Sequence, residues 1–92
     1  MTFEWDDKKN DANTKKHGVS FEEAQEAFFD TERIIIKDLK HSKDEERYFC
    51  LGKGPRGVLT VRFTLRNDKL RIIGAGYWRE GKQRYEREND IH

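Results

Sequence analysis

A chain of 92 residues, 40% of them Asp, Glu, Lys or Arg, builds one domain around a small core and excludes a multi-domain arrangement. Its net charge of +1 conceals a division: nine Lys or Arg stand against thirteen Asp or Glu through Cys50 (net −4), and ten against five beyond it (net +5), so a basic half can attract nucleic-acid phosphate whatever the total. The single cysteine, Cys50, excludes an internal disulfide or a Cys-rich metal site, and no apolar run approaches the ~20 residues of a membrane span.

In chain order, Phe3-Glu4-Trp5 alternates as a short strand, and Asp6 is placed to cap a polar helix running toward His17, with Gly18 as its left-handed stop. That helix has almost no apolar stripe beyond Ala12, so tertiary contacts must hold it. Ser20 and Glu23 form an S-x-x-E capping box, with Val19 and Ala24 as a hydrophobic staple, for a second helix through about Phe29 that buries Phe21, Ala24 and Phe28. Ile34-Ile35-Ile36 is a β-branched run too short for a helix, and residues 40–45 form a charged turn. Residues 46–51 alternate, with Arg47, Phe49 and Leu51 on one side and Glu46, Tyr48 and Cys50 on the other; Phe49 and Leu51 are expected to face the core.

Residues 58–66 alternate most cleanly, placing Leu59, Val61, Phe63 and Leu65 inward and Thr60, Arg62, Thr64 and Arg66 outward. Between this strand and its predecessor, residues 52–57 carry glycine and cations but join antiparallel strands and lack the Lys-Ser/Thr ending of a phosphate-cradling loop, so they read as a mobile hairpin loop. Asn67-Asp68 suits a two-residue turn. Counting outward from it pairs Arg66 with Lys69, Leu65 with Leu70, Thr64 with Arg71, Phe63 with Ile72 and Arg62 with Ile73. Arg62, Arg66, Lys69 and Arg71 then share one face, where like charges repel unless anions or acids lie near. Two readings stand side by side: a phosphate-binding face, or a face that is hydrated or covered by an acidic helix of the same chain. Gly74-Ala75-Gly76 permits close backbone approach before Tyr77 and Trp78, and residues 79–89 read as a helix. Trp78 and Tyr85, one helical face apart, are expected to pack that helix on the sheet, while Tyr77 beside its cations is open to base stacking.

Several words along the chain now align with a known family. They are Phe3-Glu4-Trp5-Asp6 with Asn13, Lys16-His17-Gly18-Val19-Ser20-Phe21-Glu22-Glu23-Ala24, His41-Ser42 with Glu45-Glu46-Arg47, Leu51-Gly52, and Arg71-Ile72-Ile73. In this order and spacing, across nearly the whole chain, they resemble the BrnT toxins of bacterial type II toxin–antitoxin pairs. The ending Gly74-Ala75-Gly76-Tyr77-Trp78-Arg79, with Gly81-Lys82 and Tyr85-Glu86, looks like one variant; many members carry Ser-Ala-Arg after the two isoleucines, which would set an arginine where this chain has Gly76. The resemblance implies a RelE-like α+β fold, mainly antiparallel sheet with two N-terminal helices and a C-terminal helix, over one domain spanning residues 1–92. It also implies an endoribonuclease that blocks translation, neutralised by a BrnA-like antitoxin with a ribbon-helix-helix DNA-binding segment. Operator DNA is met only through that complex. The opening Met1-Thr2-Phe3-Glu4 does not read as a signal segment, so the cytoplasm is the expected location.

RNA cleavage without a metal proceeds by attack of the 2′-hydroxyl on the adjacent phosphate and needs a base, an acid and cations for the developing charge. Arg62 and Arg71 are the candidate clamp, because a planar guanidinium matches two phosphate oxygens. His41 is a candidate acid or base, since histidine ordinarily titrates near neutrality, and Glu46 is its competitor, placed either to move a proton or to pair with Arg62 or Arg71. Arg66, Lys69, Tyr48, Tyr77 and Arg79 are candidate RNA contacts. His17, at a helix end four residues after Asn13, is set aside for a cap or an Asn–His contact. No metal or other cofactor is expected, since His17, His41 and His92 are isolated from one another. The rival to an enzyme is a non-catalytic module whose basic surface receives an acidic partner segment or nucleic acid.

Overall fold

The cleanly alternating segment becomes the middle strand of a five-stranded sheet in this computed structural model, which describes residues 1–90. In chain order the elements are β1 (Phe3–Glu4), α1 (Asp7–His17), α2 (Phe21–Ala24) continuing into a 3₁₀ turn (Gln25–Phe29), β2 (Ile34–Lys37), β3 (Arg47–Gly54), β4 (Gly57–Arg66), β5 (Lys69–Gly76) and α3 (Arg79–Glu88). The strands lie in the order β1-β5-β4-β3-β2, antiparallel except for the short parallel pair β1–β5. This is the α+β class that the sequence implied.

Asn67 and Asp68 take φ of 49° and 64° in the β4–β5 turn, and the register follows the count from Arg66–Lys69 to Phe63–Ile72. There it departs. A bulge intervenes, and Arg62 pairs with Gly74 instead of Ile73. The extra residue turns Ala75 onto the side of Val61, where it is fully buried.

One face of the sheet carries Cys50, Leu59, Val61, Phe63, Leu70, Ile72 and Ala75 beneath Val19, Phe21, Ala24, Ala27 and Phe28. Phe49 and Leu51 do not point there. They share the opposite face with Arg62 and Thr60, and Leu51 is buried in a second cluster with Val58 and Tyr85, the latter from α3. Alternation groups residues by side without saying which side is covered, and this sheet has helices on both. Leu65, expected inward, is 60% exposed two residues before the turn, whereas Thr64 is buried and donates its hydroxyl to the Glu46 carbonyl at 2.7 Å.

None of α1 is buried, and two asparagines hold it. Asn13 donates from Nδ2 to the Val19 and Ala75 carbonyls, each at 2.9 Å, and accepts from the Ala75 amide at 3.2 Å; Asn10 accepts from the Phe21 amide at 2.8 Å. Replacing Asn13 with Ala strands both polar groups of a buried backbone unit and is expected to cost about 2–3 kcal/mol, read from the urea midpoint. The expected Asn13–His17 contact is replaced by His17 meeting Trp78 edge-on at 5.2 Å.

Both helix-start signals operate. Asp6 accepts from the Lys8 and Lys9 amides, which lower its carboxyl pKa, and Ser20 accepts from the Glu23 amide at 3.0 Å. Glu23 does not return the bond as a capping box would, because its carboxylate takes the Arg56 guanidinium and the Tyr77 hydroxyl. Arg56 also donates to the Gly18 carbonyl at 2.7 Å. The β3–β4 connection is therefore a tight turn pinned to the helical layer, with Gly57 at φ 134°, in place of the expected mobile loop.

Burial pushes the Cys50 thiol up to about 12. A thiol reagent at pH 8 should leave the folded protein unlabelled and label it fully in denaturant, as mass spectrometry would report.

Candidate functional site

On the sheet face away from the main core, the register sets Arg47, Thr64 and Arg71 in one row across β3, β4 and β5, with Phe49, Arg62 and Gly74 in the next. Helix α3 covers only the end of this face near Leu51 and Val58. Arg62 thus lies diagonally between Arg47 and Arg71, at spacings of about 7–8 Å, with the three side chains 27–29% exposed. Arg66 and Lys69 pair at the turn end.

Acidic groups lie beside these cations, from a loop and an edge strand. Arg71 meets Glu4 at 3.4 Å, Arg62 meets Asp38 at 3.8 Å, and Arg47 meets Glu45 at 3.6 Å, all long for charge-assisted hydrogen bonds. Only Arg66 binds its carboxylate closely, with Nε and Nη2 on Glu45 at 2.9 and 2.8 Å, and that guanidinium holds Glu45 below the usual carboxylate range. The Nε–H groups of Arg47 and Arg62 are buried without a hydrogen-bond partner among the described residues. An unmade bond at a buried polar group costs about 1–3 kcal/mol, which an anionic oxygen entering the face would recover.

The segment after β2 brings the histidine to this face. The Asp38 amide donates to the Arg47 carbonyl at 2.8 Å, and Ser42 Oγ donates to the Asp38 carbonyl at 2.7 Å while accepting from the Arg47 amide at 2.9 Å. This straps residues 38–42 to the start of β3. His41 Nδ1 then sits 2.9 Å from Asp38 Oδ2, with the carboxylate 5% exposed and the imidazole half exposed. A buried carboxylate on Nδ1 fixes the ring and leaves Nε2 for a ligand.

His41 borders two hollows. One, of about 480 Å³, is charged and includes Lys40, Lys43, Glu45, Arg47 and Arg66 in its walls; the other, of about 550 Å³, runs between α3 and residues 36–41 over Phe49 and Leu51.

The structure gathers Arg62, Arg71, His41 and Arg66 of the expected set and adds two residues the sequence reading had not singled out. Asp38, three residues before His41, had no signal beyond that spacing. Arg47 shares its side of the strand with Phe49 and Leu51, the two residues expected to face the core, and pairing β3 with β4 sets it beside Arg62.

Glu46 and Tyr48 lie elsewhere. Glu46 accepts from Lys37 at 3.0 Å and from the Tyr48 hydroxyl at 2.9 Å, the lysine first among the causes that lower its carboxyl pKa, and it is not against Arg62 or Arg71. Tyr48 stacks on Phe63 of the main core, with ring centroids 5.5 Å apart. Tyr77 gives its hydroxyl to Glu23 and one face of its ring to Arg56, 4.9 Å from the centroid. Arg79 is exposed as the first residue of α3. Trp78 precedes the helix instead of sharing its inward face with Tyr85, and its indole lies so close to Gly76 that a Cβ there would come within 2.4 Å. The arginine that the resemblance sets at this position has no room beside that ring. Among the described residues no group of three or more His, Cys, Asp or Glu could hold a metal ion, and His92 lies outside them.

The family model described as "Ribonuclease toxin, BrnT, of type II toxin-antitoxin system" matches residues 5–81, which include Asp38, His41 and all four arginines of this face. No curated protein matches the chain.

Proposed function

The chain belongs to the BrnT family of ribonuclease toxins of type II toxin–antitoxin systems, and from that membership we propose that it is an endoribonuclease that cleaves messenger RNA without a metal ion. In this reading it halts translation in the cytoplasm and is neutralised by a BrnA-like antitoxin, whose ribbon-helix-helix segment carries the pair to operator DNA. The observation that supports the site most strongly is the pair of buried, unpartnered Nε–H groups on Arg47 and Arg62, beside an imidazole oriented by a buried carboxylate.

The chemistry follows from those groups. The scissile phosphate rests on Arg62, with Arg47 and Arg71 on either side, and their guanidinium groups stabilise the charge that builds on its oxygens. His41, with Nδ1–H donating to Asp38, takes the 2′-hydroxyl proton on Nε2. The 2′-oxygen bonds to phosphorus, the bond to the 5′-oxygen breaks, and that oxygen takes a proton from the imidazolium or from water. The products are a 2′,3′-cyclic phosphate and a 5′-hydroxyl end. Arg66 and Lys69 continue the phosphate track.

Purified, antitoxin-free protein is expected to generate new 5′-hydroxyl ends in messenger RNA with EDTA present. His41→Ala should lower the rate about 10²–10⁴-fold with RNA affinity nearly unchanged. Intact RNA under these conditions would overturn the enzyme reading. The acids beside the face arginines favour one rival, in which the face receives acidic side chains of an antitoxin-like partner without turnover; that reading predicts binding and no new ends.

A further inference from the structure

We propose that the groove between α3 and residues 36–41 is a nucleobase subsite, which holds the base next to the phosphate on Arg62 and selects bases bearing an exocyclic amine. This deepens the endoribonuclease reading and rests on it for the identity of the chain bound. The groove has about 550 Å³, within the ~300–1,000 Å³ range of small-ligand sites, and its floor is Phe49 and Leu51, walled by Ile36, Leu39 and Trp78.

Three observations give the occupant its chemistry. First, Phe49 is the direct cross-strand partner of Arg62, so an aromatic ring and a phosphate-seeking cation stand one strand spacing apart, about 5 Å. A nucleotide offers a matching pair, a flat base and a phosphate joined through one sugar, and aromatic side chains beside cations are how single-stranded RNA is held. Second, Leu39 is 82% exposed at the groove's edge, an apolar side chain left in water that a stacked base would cover. Third, Glu80 lines the same groove with no hydrogen-bond or ion-pair partner among the described residues. A carboxylate beside a phosphate-binding face repels RNA unless it receives something in return, and an exocyclic amine at the base edge, such as cytosine N4, gives it hydrogens that no neighbouring carbonyl opposes. Uracil offers only its N3–H, set between two carbonyl oxygens that repel the carboxylate.

The test titrates wild type, Glu80→Ala and Leu39→Glu with cytidine, uridine and ribose monophosphates, following the Trp78 indole and Phe49 ring signals by NMR. Glu80 and Leu39 are exposed, so both variants should fold, which circular dichroism checks. Cytidine monophosphate is expected to shift both signals and to bind wild type about tenfold more tightly than uridine monophosphate. Ribose phosphate should leave the rings unmoved. Glu80→Ala should erase the cytidine preference, and Leu39→Glu should weaken both nucleotides several-fold. Ring signals that ignore every mononucleotide, or a preference unchanged in Glu80→Ala, would overturn the subsite; in the first case an antitoxin side chain becomes the better occupant. RNA cleavage by the same samples reports separately on the enzyme: ring shifts without cleavage keep the subsite and remove the nuclease, and cleavage without ring shifts does the reverse.

Discussion

Arg62→Ala should lower RNA cleavage about 10²–10³-fold, the loss expected when one preorganised donor to developing phosphate charge is removed. Arg62 is singled out because it lies between Arg47 and Arg71 in the register, is 29% exposed, and carries a buried Nε–H that nothing among the described residues accepts. Its contact with Asp38, at 3.8 Å, is too long to be its main purpose. Arg62→Lys should recover little, since an ammonium is a point charge and cannot span two phosphate oxygens. Folding should survive either change, because the substitution removes a buried donor that was already unsatisfied. Single-turnover cleavage of a defined RNA, with urea denaturation of the same samples, separates the two effects. The slope of log affinity against log salt should also fall by about one for each phosphate contact removed.

Gly52→Ala should act on the fold alone, and strongly. A Cβ at this position would lie 2.2 Å from the Ala27 carbonyl oxygen, 2.9 Å from its carbon and 3.0 Å from Cα, so the collision is backbone against side chain with no rotamer to relieve it. That carbonyl also sits 3.7 Å from the Cys50 thiol, and Ala27 is fully buried where the 3₁₀ turn meets β3. Neither segment can yield without opening the main core. The cost should lie at or above the upper end of the ~1–3 kcal/mol seen for overpacked cores, which for a domain of this size lowers Tm by about 12–24 °C. Gly74→Ala is the matched control, since its added Cβ meets nothing nearer than 3.8 Å. Scanning calorimetry of the two variants tests both statements, and equal Tm values would refute the close-approach account.

The parts of the fold that the sequence displayed were those decided locally. The Asp6 cap, the Gly18 stop at φ 70°, the Asn67-Asp68 turn and the first four pairs of the β4–β5 register each depend on residues near in the chain. The bulge after Phe63 does not. It places Ala75 where Asn13, 62 residues away in sequence, can hold both its backbone groups, and no pattern of period two carries that information. The same limit explains β3: alternation put Arg47 with Phe49 correctly, but which side faced the main core depended on a helix more than twenty residues distant. Glu46 and Tyr48 were grouped correctly by that alternation too, and the sheet turned them toward Lys37 and Phe63. Of the candidate site, the cationic face was legible because charged residues recur at strand spacing. Asp38 was not, because a loop carboxylate reveals its burial only once Ser42 ties that loop to β3.

The most direct test of the account is growth after induced expression of wild type and of the Arg62→Ala, Arg71→Ala double variant at matched protein levels, with cellular RNA sequenced for new 5′ ends. Arrest and new ends in wild type alone are the predicted result. Arrest with the same ends from the double variant would contradict the phosphate clamp, and absence of both from wild type would contradict the nuclease itself.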